Sequence, residues 1–111
     1  IIIGDNVAIN NAFSIECSSK VVIKNDVLIG TGCSIIDNDG HNLAIEKRNF
    51  GTPKTAPIHI HQNVFLGSNV TILKGVTIGK NSIIGNGSVV TKNIPENVVA
   101  AGNPAKFIRN L

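Results

Sequence analysis

The chain has 111 residues and a formal net charge of +3, with 42% hydrophobic residues but only 15% charged residues. This length fits one domain, and the charged fraction lies well below the roughly 25% that is usual for soluble proteins. Four phenylalanines are the only aromatic residues, which excludes a core of large rings and a base-stacking surface for single-stranded nucleic acid. We interpret the low charge as a sign that copies of the chain cover some of its faces.

The sequence shows no sign of a membrane segment or of disulfide bonds. No stretch approaches the roughly 20 apolar residues that cross a bilayer, and no signal peptide opens the chain, so we expect no membrane insertion. The chain begins with Ile1 and contains no methionine, which indicates a piece of a longer product. Cys17 and Cys33 form neither a disulfide framework nor a CxxC metal motif, so we expect free thiols in the reducing cytoplasm.

Aliphatic residues recur every six positions in two blocks. All twelve positions of this series carry Ile, Leu or Val, namely Ile3, Ile9, Ile15, Ile23, Ile29 and Ile35, then Ile60, Leu66, Ile72, Ile78, Ile84 and Val90. A period of six is a multiple of the two-residue period of a strand, so every repeat can place the same side chain inward. It does not fit the 3.6-residue period of an amphipathic helix. The series therefore predicts short β-strands.

Two further series accompany the aliphatic one. Four residues beyond it stand mostly small or β-branched side chains, and three residues beyond it stand corner candidates. The twelve corner places are Asn6, Ala12, Ser18, Asp26, Gly32, Asn38, Asn63, Asn69, Gly75, Asn81, Gly87 and Asn93. Nine of these twelve residues are Asn or Gly. Asn and Gly tolerate a positive φ, which costs other residues about 1 kcal/mol or more. We predict one corner per repeat and about four triangular coils, stacked roughly 4.8 Å apart.

Two interruptions break the period. The step from Ile15 to Ile23 is eight residues, which predicts a bulge at residues 18–20. The period is lost again over a polar stretch, where function is expected because loops on rigid scaffolds carry binding and catalytic residues. The single domain thus divides into repeat blocks 1–40 and 58–95, an excursion loop 41–57, and a C-terminal cap 96–111 that is predicted to contain a short helix.

The basic residues are concentrated in the second half of the chain. From residue 55 onward, five cations accompany Glu96 as the only acid, namely Lys74, Lys80, Lys92, Lys106 and Arg109. They are spread singly, and no nucleic-acid-binding motif is present. A small polyanion is therefore a better partner for this half than nucleic acid.

The repeat pattern resembles the hexapeptide-repeat acyltransferases over nearly the whole chain, in particular the maltose, galactoside and polysaccharide O-acetyltransferases. Their fold is an all-β, left-handed parallel β-helix, and the left hand is taken from this resemblance, since ordinary parallel crossovers are right-handed. The resemblance implies a homotrimer with active sites between subunits. It also implies acetyl-CoA as co-substrate and a sugar or a surface-polysaccharide precursor as acceptor.

His41 opens the excursion in the segment IIDNDGH. A histidine at this place is the general base of the sugar O-acetyltransferases that the sequence resembles. A neutral imidazole, with a reference pKa of about 6.5, can take the proton of a sugar hydroxyl as the oxygen attacks the thioester. The resemblance implies direct transfer without a covalent enzyme intermediate. Asp37 or Asp39 would orient the imidazole or hold the acceptor, or serve only as turn residues.

Two more residues are assigned by the resemblance. Residues 65–68 resemble the family's aromatic-aliphatic-Gly-Ser step, where Ser68 or a nearby backbone N–H would stabilise the developing oxyanion. A plain repeat corner is the alternative for this step. Asn10 aligns, by counting hexads back from Ile23, with an acceptor-contacting asparagine of the galactoside enzyme.

The C-terminal segment from Ile83 onward closely resembles the coenzyme signature of the family. This resemblance assigns Gly85 and Asn86 to the pantetheine arm, Thr91 and Lys92 to the nucleotide end, and Lys106 and Arg109 to phosphate. Lysine suits phosphate as a point charge and arginine as a fork of donors. A solvated cationic face is the alternative interpretation of these residues.

Three other functions are also compatible with the sequence. Acylation of serine or of an amino sugar fits the same fold, because fold does not dictate function. A β-helix that serves only as an assembly module would bind no coenzyme A. The three histidines His41, His59 and His61 also raise a zinc enzyme similar to the γ-carbonic anhydrases, since zinc binds convergent imidazoles, although our expectation is that no metal is bound.

Overall fold

The computed structural model describes all 111 residues, which form fourteen short strands in three sheets. The strands are β1 (Ile2–Ile3), β2 (Ala8–Ile9), β3 (Ser14–Glu16), β4 (Val21–Ile23), β5 (Leu28–Ile29), β6 (Ser34–Ile36), β7 (Ile58–Ile60), β8 (Phe65–Leu66), β9 (Thr71–Ile72), β10 (Thr77–Ile78), β11 (Ile83–Ile84), β12 (Val89–Val90), β13 (Val98–Gly102) and β14 (Ala105–Asn110). The single helical element is a 3₁₀ turn at Ile45–Lys47. The chain therefore contains no helix with the length and hydrophobicity of a bilayer span.

From β1 to β12, successive strands lie on different sheets, and strands three apart pair in parallel. The first face is β1-β4-β7-β10, the second is β2-β5-β8-β11-β13-β14, and the third is β3-β6-β9-β12. The register places Ile3 beside Ile23 and Ile23 beside Ile60, so equivalent residues of each coil stack directly. Each trio of strands completes one turn. The predicted left-handed parallel β-helix of about four triangular coils is confirmed.

The aliphatic series forms the core of this prism. Nine of its twelve members are buried, from Ile23 to Val90, and Val or Cys side chains of the second inward series pack between them. Burial of one such side chain contributes about 1.5–3 kcal/mol. The other three members, Ile3, Ile9 and Ile15, belong to the first coil, which has a neighbouring coil on one side only.

Most corners have the predicted left-handed backbone. Nine of the twelve corner residues have φ between 57° and 78°. The prediction is wrong at Ser18, Asn38 and Asn93, and all three follow a strand of the third face. We call this edge, where the chain passes from the third face to the first, the third corner. It carries the bulge, the excursion and the exit to the cap, so the irregular backbone is concentrated on one edge.

The C-terminal cap is a β-hairpin, and the predicted short helix is wrong. β13 adds to the second face by pairing with β11, which buries Val98 and Ala100. A new outer strand exposes unpaired N–H and C=O groups, and β14 pairs with them antiparallel. The tertiary environment thus stabilises an extended segment where the local sequence favoured a helix.

Two buried serines attach the cap to the prism. The Val98 N–H donates to Ser82 Oγ (3.1 Å), and this hydroxyl donates to the carbonyl of Pro95 (2.5 Å). The Gly102 N–H donates to Ser88 Oγ (3.0 Å). Both serines stand at inward positions of the repeat, and the Ser88 hydroxyl donates to the carbonyl of Gly85 (2.7 Å). Each hydroxyl is therefore satisfied by groups of the prism and of the cap.

Candidate active site

The third corner brings together many of the residues that the sequence singled out. The excursion leaves after β6, Lys74 follows β9, and Thr91 and Lys92 follow β12, so these residues lie on one edge of successive coils. His41, Thr91 and Lys92 are all exposed. The predicted base and the predicted nucleotide contacts therefore share an edge of the prism.

Asp37 organises the predicted bulge at residues 18–20. Its side chain is fully buried, and its carboxylate accepts the N–H groups of Ser18 (2.7 Å), Ser19 (2.6 Å) and Lys20 (2.9 Å). Burial alone would raise the pKa of Asp37, but these bonds, with help from Asn38, hold it below its ordinary value. A buried carboxylate with these partners cannot hold an acceptor, so the substrate-binding prediction for Asp37 is wrong.

Asp39 takes part in the only ion pair of the structure. Its Oδ1 lies 2.8 Å from Lys74 Nζ, and the side chain is 13% exposed. Its Oδ2 is buried and has no hydrogen-bond partner. Buried polar atoms are rarely left without a partner, so this oxygen is an open acceptor two residues before His41.

The excursion begins on an ordered backbone. The Ala56 N–H donates to the carbonyl of Asp37 (3.0 Å), and the Asp39 N–H donates to the carbonyl of Lys54 (3.0 Å). Gly40 then turns the chain with φ of 74°, and its N–H donates to Asn38 Oδ1 (2.9 Å). His41 is thus exposed and follows directly after this paired root and the Gly40 turn.

Farther out, the excursion presents apolar side chains to solvent. Leu43, Ile45 and Phe50 are 63%, 84% and 70% exposed. Local bonds maintain the loop, since the Arg48 guanidinium donates to the carbonyl of Leu43 (3.2 Å). This arrangement leaves a projecting hydrophobic tip instead of a loop folded back on the prism.

Ser68 lies at a different edge, the second corner, where the chain passes from the second face to the third. Its N–H donates to Asn86 Oδ1 (2.8 Å), so this backbone donor is already used and only the hydroxyl is free for an oxyanion. The neighbouring Gly67 leaves room for the contact, since a Cβ there would lie 2.9 Å from the Asn86 backbone N. Gly85 and Asn86 occupy this edge one coil above Ser68.

The remaining predicted residues are spread over the molecule. Asn10 stands at the second corner in the first coil, three coil steps or about 14 Å from Gly85. Lys106 and Arg109 are exposed on β14, at the outer edge of the second face. One copy of the chain therefore does not bring the predicted base, oxyanion donor and phosphate contacts into a single site.

His59 and His61 project from the first face. His61 Nδ1 lies 3.4 Å from Lys24 Nζ. Burial, followed by the positive charges of Lys24 and His59, lowers the pKa of His61 below its ordinary value. Within the chain, no three His, Cys, Asp or Glu side chains converge as a metal site would require.

Sequence reasoning missed the part played by Lys74. In the sequence it is one of five dispersed cations, and its spacing before Gly75 matches that of an ordinary corner. The contact with Asp39 depends on how the excursion returns, which no local pattern shows.

The comparisons with known proteins agree with the fold. The family model for bacterial transferase hexapeptide (six repeats) matches residues 57–92. The candidate acetyltransferase YJL218W of Saccharomyces cerevisiae is 47% identical over 111 residues, which cover 100% of this chain and 56% of the yeast protein. The chain thus spans little more than half the length of this relative.

Two solved structures have nearly the same backbone. A galactoside acetyltransferase in complex with coenzyme A is 45% identical, with a TM-score of 0.92 over 97% of this chain and 54% of the other. A hexapeptide-repeat acetyltransferase of Vibrio cholerae, complexed with acetyl coenzyme A, is 33% identical, with a TM-score of 0.93 over 98% of this chain and 59% of the other. Sequence, fold and comparisons together show that the chain belongs to the hexapeptide-repeat acyltransferase family, with its left-handed β-helix.

Proposed function

We propose that the chain carries the catalytic β-helix of an acetyl-CoA-dependent O-acetyltransferase whose acceptor is a sugar or a surface-polysaccharide precursor. The observation that carries the proposal is the exposed His41 at an ordered loop root, on the same edge as Thr91 and Lys92. The named activities of the similar galactoside and Vibrio cholerae enzymes support it. The two free cysteines favour the reducing cytoplasm as its compartment.

The division of the site between two edges supports a homotrimer with active sites between subunits. His41 leaves the third corner, whereas Ser68 and Asn86 lie at the second corner of the same chain. If the second corner of a neighbouring copy packs against the third corner of this chain, the two groups of residues come together. The projecting Leu43, Ile45 and Phe50 would find apolar cover in such an assembly.

In the proposed reaction, His41 removes the proton of the acceptor hydroxyl while its oxygen attacks the thioester carbonyl carbon. The Ser68 hydroxyl donates to the oxyanion that forms there. The C–S bond then breaks as the carbonyl re-forms, and the imidazolium returns its proton to the departing thiolate. One ester and one free thiol result, so atoms and charge balance without a covalent enzyme intermediate.

The phosphate ends of the co-substrate would meet Lys92, Lys106 and Arg109. All three side chains are exposed and none forms an ion pair in the chain. Thr91 would add a hydroxyl group, and the pantetheine arm would lie along the backbone of the Gly85–Asn86 corner.

The proposal is tested by measuring coenzyme A release from acetyl-CoA with a panel of acceptors. Sugars, oligosaccharides, serine and amino sugars are compared at equal concentration, and products are identified by mass spectrometry. We expect an O-acetylated sugar to form fastest. If serine or an amino sugar reacts faster, the proposed sugar acceptor is wrong. If the protein neither releases coenzyme A nor binds it, an assembly module is favoured.

Reversing the charge of Lys92 is expected to weaken coenzyme binding. Lys92→Glu should raise the KM for acetyl-CoA by at least about tenfold, because an attraction to phosphate becomes a repulsion. The matched control is Lys80→Glu, since Lys80 is also an exposed corner lysine without an ion pair. Equal KM values for the two variants would contradict the assignment of Lys92.

A further inference from the structure

The root of the excursion is attached to the prism by one side-chain charge pair. Lys74 follows β9, one coil above the strand from which the excursion leaves, and its ammonium reaches back 2.8 Å to Asp39 Oδ1. The adjacent Gly75 N–H donates to the carbonyl of Ala56 on the returning side of the excursion (3.2 Å). The Lys74–Gly75 corner therefore contacts both the outgoing and the returning segments.

The two other supports of the root come from the backbone and from Asp37. Asn38 and Thr55 form an antiparallel bridge, which pairs the two segments with each other. Asp37 ties the outgoing segment to the bulge at residues 18–20 in the coil below. Neither support determines how residue 39 is held against the coil above, and Lys74 is the one side chain that does so.

We propose that Lys74 is a positioning residue for His41, a proposal that rests on the general-base role assigned above. By holding Asp39 against the third corner, the ammonium sets the place and direction from which Gly40 turns and His41 begins. The imidazole need not touch Asp39 for this effect. The pair is mostly buried, with exposures of 32% for Lys74 and 13% for Asp39, so water cannot substitute for it freely.

Loss of Lys74 would leave Asp39 buried without its counter-charge and with neither oxygen hydrogen-bonded. Such a carboxylate moves toward water rather than stay unpaired. The outgoing segment would move with it, and His41 would lose its fixed starting point. Small displacements of a catalytic group are costly, because proton transfer requires the base within hydrogen-bond reach of the substrate.

The experiment compares Lys74→Met, Lys74→Arg and the matched control Lys80→Met in steady-state kinetics, with rates expressed per folded protein. We expect Lys74→Met to lower kcat at least tenfold while the KM for acetyl-CoA stays within twofold. Lys74→Arg should restore kcat to within threefold of the starting protein, and Lys80→Met should leave it unchanged. In an Asp39→Asn background, adding Lys74→Met should lower kcat by less than a further twofold. The proposal is overturned if the two substitutions lower kcat by factors that multiply in the double variant, or if Lys74→Met keeps the full kcat.

Amide hydrogen exchange separates this proposal from the proposed function. The N–H groups of Asp39 and Ala56 should exchange at least tenfold faster in Lys74→Met than in Lys80→Met, whatever the enzyme acylates. Unchanged exchange would overturn the anchoring role. If exchange accelerates but the starting protein transfers no acetyl group to any acceptor, the proposed function fails, and the positioning of His41 as a base fails with it.

Discussion

Replacing His41 by alanine should lower the turnover of acetyl transfer by at least about 100-fold, the lower range for loss of a general base. An acceptor hydroxyl is a poor nucleophile while it keeps its proton, and no other imidazole lies on the third corner. The KM for acetyl-CoA should change little, because His41 is assigned to the acceptor proton and other side chains are assigned to the coenzyme. The measurement is the initial rate of coenzyme A release at saturating acceptor.

The matched control for this prediction is His61→Ala. His61 directly follows β7 of the first face and lies beside Lys24, whereas His41 leaves the third corner. Its removal should leave turnover within twofold. Near-normal turnover of the His41→Ala enzyme would end the general-base proposal, while equal losses in both variants would point to a general effect on the fold.

Asp37→Asn should destabilise the folded chain by about 3 kcal/mol, because hydrogen bonds to a charged group each contribute about 1.5–3 kcal/mol. An asparagine amide has a single oxygen, so its NH₂ group would face at least one of the N–H groups of Ser18, Ser19 and Lys20. A buried donor opposite another donor loses its solvation without gaining a partner. Denaturant unfolding at pH 7 measures the difference.

This effect should depend on pH in a defined direction. The folded pKa of Asp37 lies below its ordinary value of 3.8, so the native state favours the charged carboxylate. Its contribution is complete above that ordinary value and is lost as the pH falls through the depressed pKa of the folded state. The stability difference between the original chain and Asp37→Asn should therefore be constant from pH 7 to 5 and shrink below about pH 4.

The control is Asp5→Asn, at an exposed carboxylate whose side chain makes no hydrogen bond in the structure. This variant should change the free energy of unfolding by less than about 0.5 kcal/mol, as surface substitutions usually do. If both variants lose the same stability, the anchoring role of Asp37 is wrong.

The periodic part of the fold was predictable because its physics is local and repeated. An inward-facing aliphatic residue at every sixth position indicates which side of each strand is buried. Because twelve repeats agree, the pattern specifies one register of the strands. Corner residues such as Asn63, Asn69 and Gly75 add the backbone conformation that each turn needs. The predicted coils, core and most corners follow from these two signals.

The cap shows where such local information ends. A short helix was the sequence-based prediction for the residues after Pro104, but β13 presents an open sheet edge, and pairing with that edge stabilises the extended form. The edge exists only once β11 and β13 have stacked. No window of the sequence contains this fact.

For the candidate site, too, some features were predictable from the sequence and others depend on the tertiary structure. By itself, the sequence determined the six-residue repeat, the place of the excursion and, through its resemblance, His41 as the candidate base. Only the tertiary structure decided that Asp37 turns inward to the bulge and Asp39 outward to Lys74. It also decided that Ser68 leaves from another edge. Periodicity specifies which side of a strand is buried, whereas these contacts depend on residues far apart in the chain that meet only after the coils have stacked.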